Sequence, residues 1–351
     1  MSRASVTFAI PCRNAGPYLE PLLSSLLRQT RQDFDVVLVD DASTDDSVVK
    51  ARAVCGPRLR VVENPVPLGL GGNWNRAAEL VETPFFCLAH VDDVYQDAFL
   101  EGMLRALEAA PTAAFAHCRA HALDESGRVI DSPVERFKDG FWSECLDPDP
   151  RVQFLLLRRG NFVMCPSAVY RTDRFRAVGP FDPKLRATLD WERNVRTALA
   201  GHTIAAVPDA LLGYRRHLQS VTAANVRTLE RYREEAALLS WMDTEGRARG
   251  WLAADAPPSR ALRNNLLYDV FVDLRGRQYE SAALRLAFAR DEHPELAWDG
   301  VARIVAAAAR AGLPGRLALA GALRLVVWRA ELAYFMGSRL RSSTTSRRKR
   351  A

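Results

Sequence analysis

Two adjacent carboxylates, Asp92-Asp93, follow the apolar run Phe85-Phe86-Cys87-Leu88-Ala89 across a two-residue link, His90-Val91. An open α/β sheet carries its chemistry at the carboxyl ends of its strands, and an acid pair there suits a divalent cation that in turn holds phosphate oxygens. Magnesium and manganese keep waters and substrate oxygens in their shells, so one or two protein carboxylates suffice. The pattern occurs once earlier, where Phe34-Asp35-Val36-Val37-Leu38-Val39 runs into Asp40-Asp41-Ala42-Ser43-Thr44-Asp45. A carboxylate at Asp41 can accept from a base imide or a ribose hydroxyl. Each acid also has a plainer reading, as a helix cap or a turn former. Asp97 is the better-placed cap for the helix that follows Asp92-Asp93, which favours chemistry for the pair. Gly69-Leu70-Gly71-Gly72-Asn73-Trp74-Asn75 is a glycine-rich lead into a helix, but it has neither the order of a dinucleotide fingerprint nor the lysine of a P-loop.

The elements that must position these acids read as alternating strands and helices. A short strand at 6–10 stops at Pro11, and a helix over 18–29 carries Leu19, Leu22, Leu23, Leu26 and Leu27 at helical spacing. Residues 36–39 form a continuous apolar run, as a central parallel strand covered on both faces would. A helix over 43–53 capped by Ser43 or Thr44, a strand at 59–63, a loop at 69–72, a helix over 73–81 and a strand at 85–89 follow. This alternation predicts a doubly wound, mostly parallel sheet with helices on both faces. A helix runs from 97 to Pro111, and 113–142 has only weak strand and turn signals. Regular patterns return at 163–170 and 175–181, then as a helix over 190–200 closed by Gly201 and a late strand at 203–207.

Composition sets the outer bounds. Nearly half the chain is apolar (48%), enough for a sizeable core. The six cysteines have no CxxC spacing and several lie in apolar runs, which fits free thiols in a reducing compartment. The first ten residues lack a secretory pattern, and a cytoplasmic location is expected. Net charge is +6, concentrated in Arg339, Arg341, Arg347, Arg348, Lys349 and Arg350. Such a tail is either solvated or drawn to an anionic membrane. With no aromatic platform motif, nucleic acid is not an expected partner. Beyond about 222 the composition turns to alanine, leucine and arginine at helical spacing, interrupted at Pro257-Pro258 and Pro314-Gly315, so a C-terminal all-helical region is predicted. Arg324, Arg329 and Glu331 break its most apolar stretch, excluding a conventional spanning helix. Leu319, Leu323, Val326, Val327, Ala330 and Tyr334 share one face of that stretch, suited to the protein's own core or to a membrane surface.

Seven motifs occur in an order that is informative as a set. They are Pro11-Cys12-Arg13-Asn14, Asp40-Asp41-Ala42-Ser43-Thr44-Asp45, His90-Val91-Asp92-Asp93, Pro166-Ser167-Ala168-Val169-Tyr170-Arg171, Gly179-Pro180-Phe181-Asp182, Leu189-Asp190-Trp191-Glu192 and Tyr214-Arg215-Arg216-His217-Leu218-Gln219-Ser220. Over residues 5–222 the chain resembles a family 2 glycosyltransferase of the GT-A fold. It departs from the family pattern at Arg13, where an aromatic is common, at Ala42, where glycine is usual, and at His90, where the metal motif has its first acid.

The resemblance implies a GT-A domain over 1–222, with a nucleotide-sugar-binding half (1–105) and an acceptor half (106–222), followed by a helical region with a basic tail over 223–351. It implies donor binding by Pro11, Arg13, Asn14, Asp41, Asn75, Asp92, Arg216 and His217, with Arg215 beside them at the diphosphate. Asp93 is the implied ligand for Mg2+ or Mn2+, with His217 as a further metal ligand and His90 a neighbour only. Asp190 is the implied general base, with Glu192 second in rank. His117-Cys118-Arg119-Ala120-His121 looks metal-like but has no partner cluster and is read as structural.

The implied activity is inverting transfer of a sugar from a nucleoside diphosphate to a hydroxyl on a glycan or lipid-linked acceptor, in cell-surface polysaccharide or glycan assembly. A base on the face opposite the leaving diphosphate makes in-line attack invert the anomeric carbon. The helical tail would then hold the protein peripherally at the inner membrane face. Two alternatives stand beside this: a non-catalytic sugar-nucleotide-binding protein, and a sugar nucleotidyltransferase, which the missing glycine- and lysine-rich activation loop disfavours.

Overall fold

The computed structural model describes residues 4–217, 220, 228–275 and 278–294. The chain forms two compact units, one of residues 1–225 and 233–259, the other of 226–232 and 260–351.

The first unit opens with β1 (Val6–Cys12), α1 (Leu19–Leu27), β2 (Phe34–Asp40), α2 (Ser47–Cys55), β3 (Leu59–Glu63), α3 (Gly69–Glu79) and β4 (Phe85–Leu88). These four strands are parallel, in the spatial order β3-β2-β1-β4. Then come β5 (Val94–Tyr95), α4 (Phe99–Ala109), β6 (Ala113–Leu123), β7 (Val129–Ile130), α5 (Pro133–Asp139), α6 (Trp142–Cys145), α7 (Pro150–Leu157), β8 (Ala168–Arg171), α8 (Thr172–Val178), α9 (Leu189–Leu199) and β9 (Thr203–Arg215). The sheet continues from β4 as β8-β6-β9-β5, with β7 on β6. Here only β6 and β9 pair in parallel, while β8 runs antiparallel to both β4 and β6. The expected doubly wound sheet is present, with a mixed second half.

One core cluster joins α1 (Leu19, Leu22, Leu23, Leu26) and α4 (Phe99, Leu100, Met103, Leu104, Leu107) to Phe8, Ile10, Val36 and Leu38 of the sheet. Each such side chain, fully buried, contributes about 1.5–3 kcal/mol before entropy.

Four local expectations change. Strand β1 runs through Pro11, which pairs in register with Val39. Helix α2 starts at Ser47 with no side-chain cap, because the Ser43 hydroxyl instead accepts from the Asn14 amide at 2.9 Å. Asp97 does not cap α4, and its carboxylate faces Arg28 at 3.3 Å. Residues 69–72 are the first turn of α3 rather than a loop, because the buried Asp41 carboxylate accepts the N–H groups of Leu68 (2.7 Å) and Gly69 (3.0 Å) at that helix start. A Cβ on Gly71 would lie 2.9 Å from the Pro183 Cα. Gly71→Ala must therefore push backbone apart, and we expect a loss of about 1–3 kcal/mol in denaturant unfolding.

The weakly patterned stretch turns out to hold the long strand β6. Its first six residues, Ala113 to Cys118, are all buried, so no alternation marks them. Its partner β9 extends eight residues beyond the expected strand. Pro208 is accommodated by a register shift that takes the pairing from Cys118 with Val207 to Arg119 with Ala210.

Helices α10 (Glu230–Ala248), α11 (Ala261–Arg275) and α12 (Tyr279–Glu292) bear out the helical composition after 222. Residues 233–259, however, cluster with the first unit, which moves the boundary drawn at 222. The Glu234 carboxylate accepts the amides of Arg186, Ala187 and Thr188 at 2.9–3.1 Å, and Asp243 pairs with Arg158 at 2.5 Å. Within the second unit the Tyr232 hydroxyl donates to Asp269 (2.6 Å) and accepts from Arg285 Nε (2.8 Å). No helix among the described residues is long and apolar enough to cross a membrane. Pro314-Gly315, the amphipathic face from Leu319 to Tyr334 and the basic tail lie outside the described residues.

Candidate active site

Asp93 is fully buried just beyond β4. Its Oδ1 accepts the backbone N–H of Arg215 at 2.9 Å, and its Oδ2 is buried with no hydrogen-bond partner. His90, two residues past the strand, has a buried Nε2 that also lacks a partner, and its ring lies 4.8 Å from that of Trp74. One ligand atom each from His90, Asp92 and Asp93 lies within 4.8 Å of the others. Burial, then the Asp92 charge, pushes the Asp93 carboxyl well up, and burial pushes His90 down to about 4. A divalent charge among these atoms would reverse the first shift and use the neutral imidazole. The donor set therefore fits a cation, and it differs from the set expected from sequence. His217 Nε2 lies 2.9 Å from Asp92 Oδ2, with its ring 4.8 Å from Tyr18, so it is placed to orient Asp92. His90, read from the sequence as a neighbour only, is the third residue of this candidate cluster. The signal available for it was spacing alone, a histidine two and three residues before two acids.

At the ends of β1 and β2, Asn14 adopts a left-handed backbone (φ 49°) and its Oδ1 accepts the Thr44 amide at 2.8 Å, fastening the two loops together. Asp41 accepts from Asn64 Nδ2 (2.9 Å) as well as from Leu68 and Gly69, and the exposed Arg13 guanidinium lies 3.8 Å from its Oδ2. Asn75 is occupied differently from expectation. Its amide donates to the Phe181 carbonyl and accepts the Phe181 N–H, both at 2.9 Å, so it clamps α3 to the segment before α9.

Asp190 lies in the first turn of α9, two residues past the cap, Thr188. Its Oδ1 accepts the Trp191 amide (2.8 Å) and its Oδ2 the side-chain amide of Asn161 (3.0 Å). Lys138 Nζ donates to the carbonyls of Asn161 (2.7 Å) and Val163 (2.8 Å). Burial raises the Asp190 carboxyl, the Lys138 charge lowers it in part, and the balance is upward. Burial also pushes Lys138 down to about 8. Glu192 is held by Arg196 through two contacts, at 2.6 and 2.9 Å, whereas Asp190 is in no ion pair among the described residues. Lys138 and Asn161 carry no motif, and nothing in the sequence singles them out.

The basic segment after β9 is turned inward. Arg215 Nε donates to the Asp92 carbonyl (2.9 Å) and its Nη1 to the carbonyls of Asp124 and Glu125 (both 3.0 Å). Arg216 pairs with Glu135 of α5 at 2.5 Å. Arg215 thus braces the acid pair through the Asp92 carbonyl and the Asp93 carboxylate, and Arg216 meets Glu135 through Nη2 while its Nε is buried without a hydrogen-bond partner. His117 is buried and His121 exposed, and among the described residues the sole metal-like cluster is that of His90, Asp92 and Asp93.

The profile of the family described as Glycosyl transferase family 2 matches residues 7–178, from β1 to the end of α8. The chain belongs to glycosyltransferase family 2. As a family 2 glycosyltransferase it is similar to the PGL/p-HBAD biosynthesis glycosyltransferase of Mycobacterium bovis, at 28% identity over 200 residues, 56% of this chain and 70% of that one. Similarity to the amylovoran biosynthesis glycosyltransferase AmsB of Erwinia amylovora is 29% over 154 residues, 43% of this chain and 48% of that one. Among solved structures, S. aureus TarS 1–349 in complex with UDP-GlcNAc superposes with a TM-score of 0.56 at 17% identity, covering 95% of this chain and 92% of that one. The mannosyltransferase PcManGT of Pyrobaculum calidifontis, in complex with GDP-Man and Mn2+, gives 0.55 at 18% identity, covering 99% and 85%. At these identities the likeness is one of fold.

Proposed function

We propose that this glycosyltransferase moves a sugar, with inversion, from a nucleoside diphosphate to a hydroxyl of a glycan or lipid-linked acceptor in cell-surface polysaccharide or glycan assembly. The observation that carries the reading is the separation of two kinds of acid. Asp93 is buried with an unpartnered oxygen beside Asp92 and His90, whereas Asp190 sits on another element, hydrogen bonded to amides but in no ion pair among the described residues. The first arrangement suits a cation and a departing diphosphate, the second a base.

Asp41 and Arg13 would take the base and ribose, with Asn14 and Pro11 shaping the loop around them. Asp93, Asp92 and His90 would hold Mg2+ or Mn2+, which when bound supplies positive charge against the leaving diphosphate. His217 would keep Asp92 in place through their 2.9 Å contact. Asp190 accepts the proton of the attacking hydroxyl at its carboxylate. The donor class is supported by the UDP-GlcNAc and GDP-Man held by the two solved structures, and the setting by relatives named for PGL/p-HBAD and amylovoran biosynthesis. All six cysteines are free and buried, in keeping with a reducing cytoplasm.

The test is calorimetric titration of the full chain with UDP, GDP and dTDP, with and without Mn2+. Metal-dependent binding of one nucleotide is expected. Absence of binding by all three under both conditions would overturn the reading.

A further inference from the structure

The third member of the candidate cation cluster is a nitrogen donor. His90 is half-buried, its Nε2 is buried without a hydrogen-bond partner, and a ring nitrogen lies within 4.8 Å of carboxylate oxygens of Asp92 and Asp93. Asp93 is fully buried, and its Oδ2 is equally without a partner. Buried polar atoms are nearly always satisfied, so an orphaned nitrogen and an orphaned carboxylate oxygen in one cluster point to a shared cation. Burial alone is not the signal. His117 also has a buried, unpartnered Nε2, but it belongs to no group of metal-ligating side chains among the described residues.

The fold fixes this imidazole independently of any ion. Its ring lies 4.8 Å from that of Trp74, with 35° between the planes. Trp74 is buried on α3 and meets Phe181 edge-on at 5.3 Å, and Asn75, next along the helix, grips the backbone of Phe181 with both ends of its amide. A histidine whose ring is held by packing is a preorganised ligand. The two acids are held as well, Asp92 by His217 Nε2 and Asp93 by the Arg215 amide, each at 2.9 Å.

Ligand type separates ions that a pair of carboxylates would take alike. Mg2+ dehydrates reluctantly and keeps oxygen ligands, so an imidazole offers it little. First-row transition ions bind imidazole nitrogen more readily, with Mn2+ the weakest of the series and therefore the most demanding case. We propose that His90 ligates the cation through its imidazole and makes the site selective for a first-row transition ion over Mg2+. The proposal rests on the reading of Asp92 and Asp93 as the cation site.

The test is titration of the full chain with Mn2+, alone and with UDP, GDP or dTDP, followed by electron paramagnetic resonance, with Mg2+ then added in competition. Residues behind the ligands of a metal already change its affinity severalfold to a hundredfold, so a nitrogen ligand should set the preference for Mn2+ over Mg2+ at about 100-fold or more. His90→Asp, which makes the set all oxygen, should narrow that preference by at least about tenfold. Pulsed spectra of the bound Mn2+ should carry the hyperfine coupling of a directly bound nitrogen, lost in His90→Gln and retained in His217→Gln. Equal binding of Mg2+ and Mn2+ by the native chain, or bound Mn2+ without that coupling, overturns the role of His90 and leaves the acid pair as the cation site. Both results are read on the native chain, so neither depends on whether a variant folds. A coupling that survives His90→Gln and vanishes in His217→Gln also overturns it. Absence of bound Mn2+ with and without every nucleotide removes the cation site itself, so the two failures are separable.

Discussion

Asp190→Asn will lower kcat by about 10²–10⁴-fold while nucleotide binding in the presence of Mn2+ stays unchanged, the range set by removal of a general base. Asparagine keeps the shape of the side chain and can still accept the Trp191 amide through its oxygen. It cannot take a proton, and its nitrogen would face the Asn161 amide nitrogen that now donates to Asp190 Oδ2. Asp190→Ala removes that conflict and should be equally inactive, so agreement between the two variants separates lost chemistry from a local rearrangement. Steady-state transfer to any working acceptor reads the outcome. Full activity in both would assign the base elsewhere, against the geometry that ties Glu192 to Arg196.

The pH profile gives this prediction its sign. Burial raises the Asp190 carboxyl above the usual carboxylate range. A base acts when ionised, so activity is present above that raised value and falls as pH drops through it, earlier on acidification than an exposed aspartate would allow. Lys138 is the largest of the influences that favour the ionised form. Lys138→Met should therefore move the acidic limb to higher pH, a shift that a residue acting only in packing would not produce.

Asp93→Asn is the second large effect. Its oxygen can still accept the Arg215 amide, so the turn after β4 keeps its hydrogen bond. What is lost is the anionic oxygen that lies buried and unpartnered. Outer-shell residues of metal sites typically account for 10–100-fold in affinity, and loss of a ligand should cost at least about 100-fold in Mn2+-dependent nucleotide binding. Melting measured without metal should show the variant no less stable than the native chain, because burial disfavours the carboxylate charge to begin with. A variant that melts earlier without metal and binds nucleotide normally would make Asp93 a structural acid.

The sequence by itself determined the parallel half of the sheet and the two acidic strand ends. Leucines at helical spacing in α1 and the apolar runs of β2 and β4 are local signals that need no partner to be read, and the acids that follow them stand where such strands end. It also determined that Asp190 lies at the start of a helix, since the helical spacing of α9 and Gly201 beyond it are local too. Tertiary structure decided what each polar group does. Asn75 reads as a donor contact until Phe181, far along the chain, takes both ends of its amide. His217 and Arg215 read as diphosphate contacts, and the fold adds that β9 and the residues after it bring them into hydrogen bonds with Asp92 and Asp93. His90 becomes a candidate ligand because its unpartnered nitrogen is buried among those acids, and Lys138 and Asn161 matter because folding brings them to Asp190. Strand β6 carries no periodic mark, since a strand whose first six residues are buried on both faces does not alternate. Hydrophobic periodicity is written within a few turns of chain, whereas the partner of a buried hydrogen-bonding group is chosen by residues that only the fold makes neighbours.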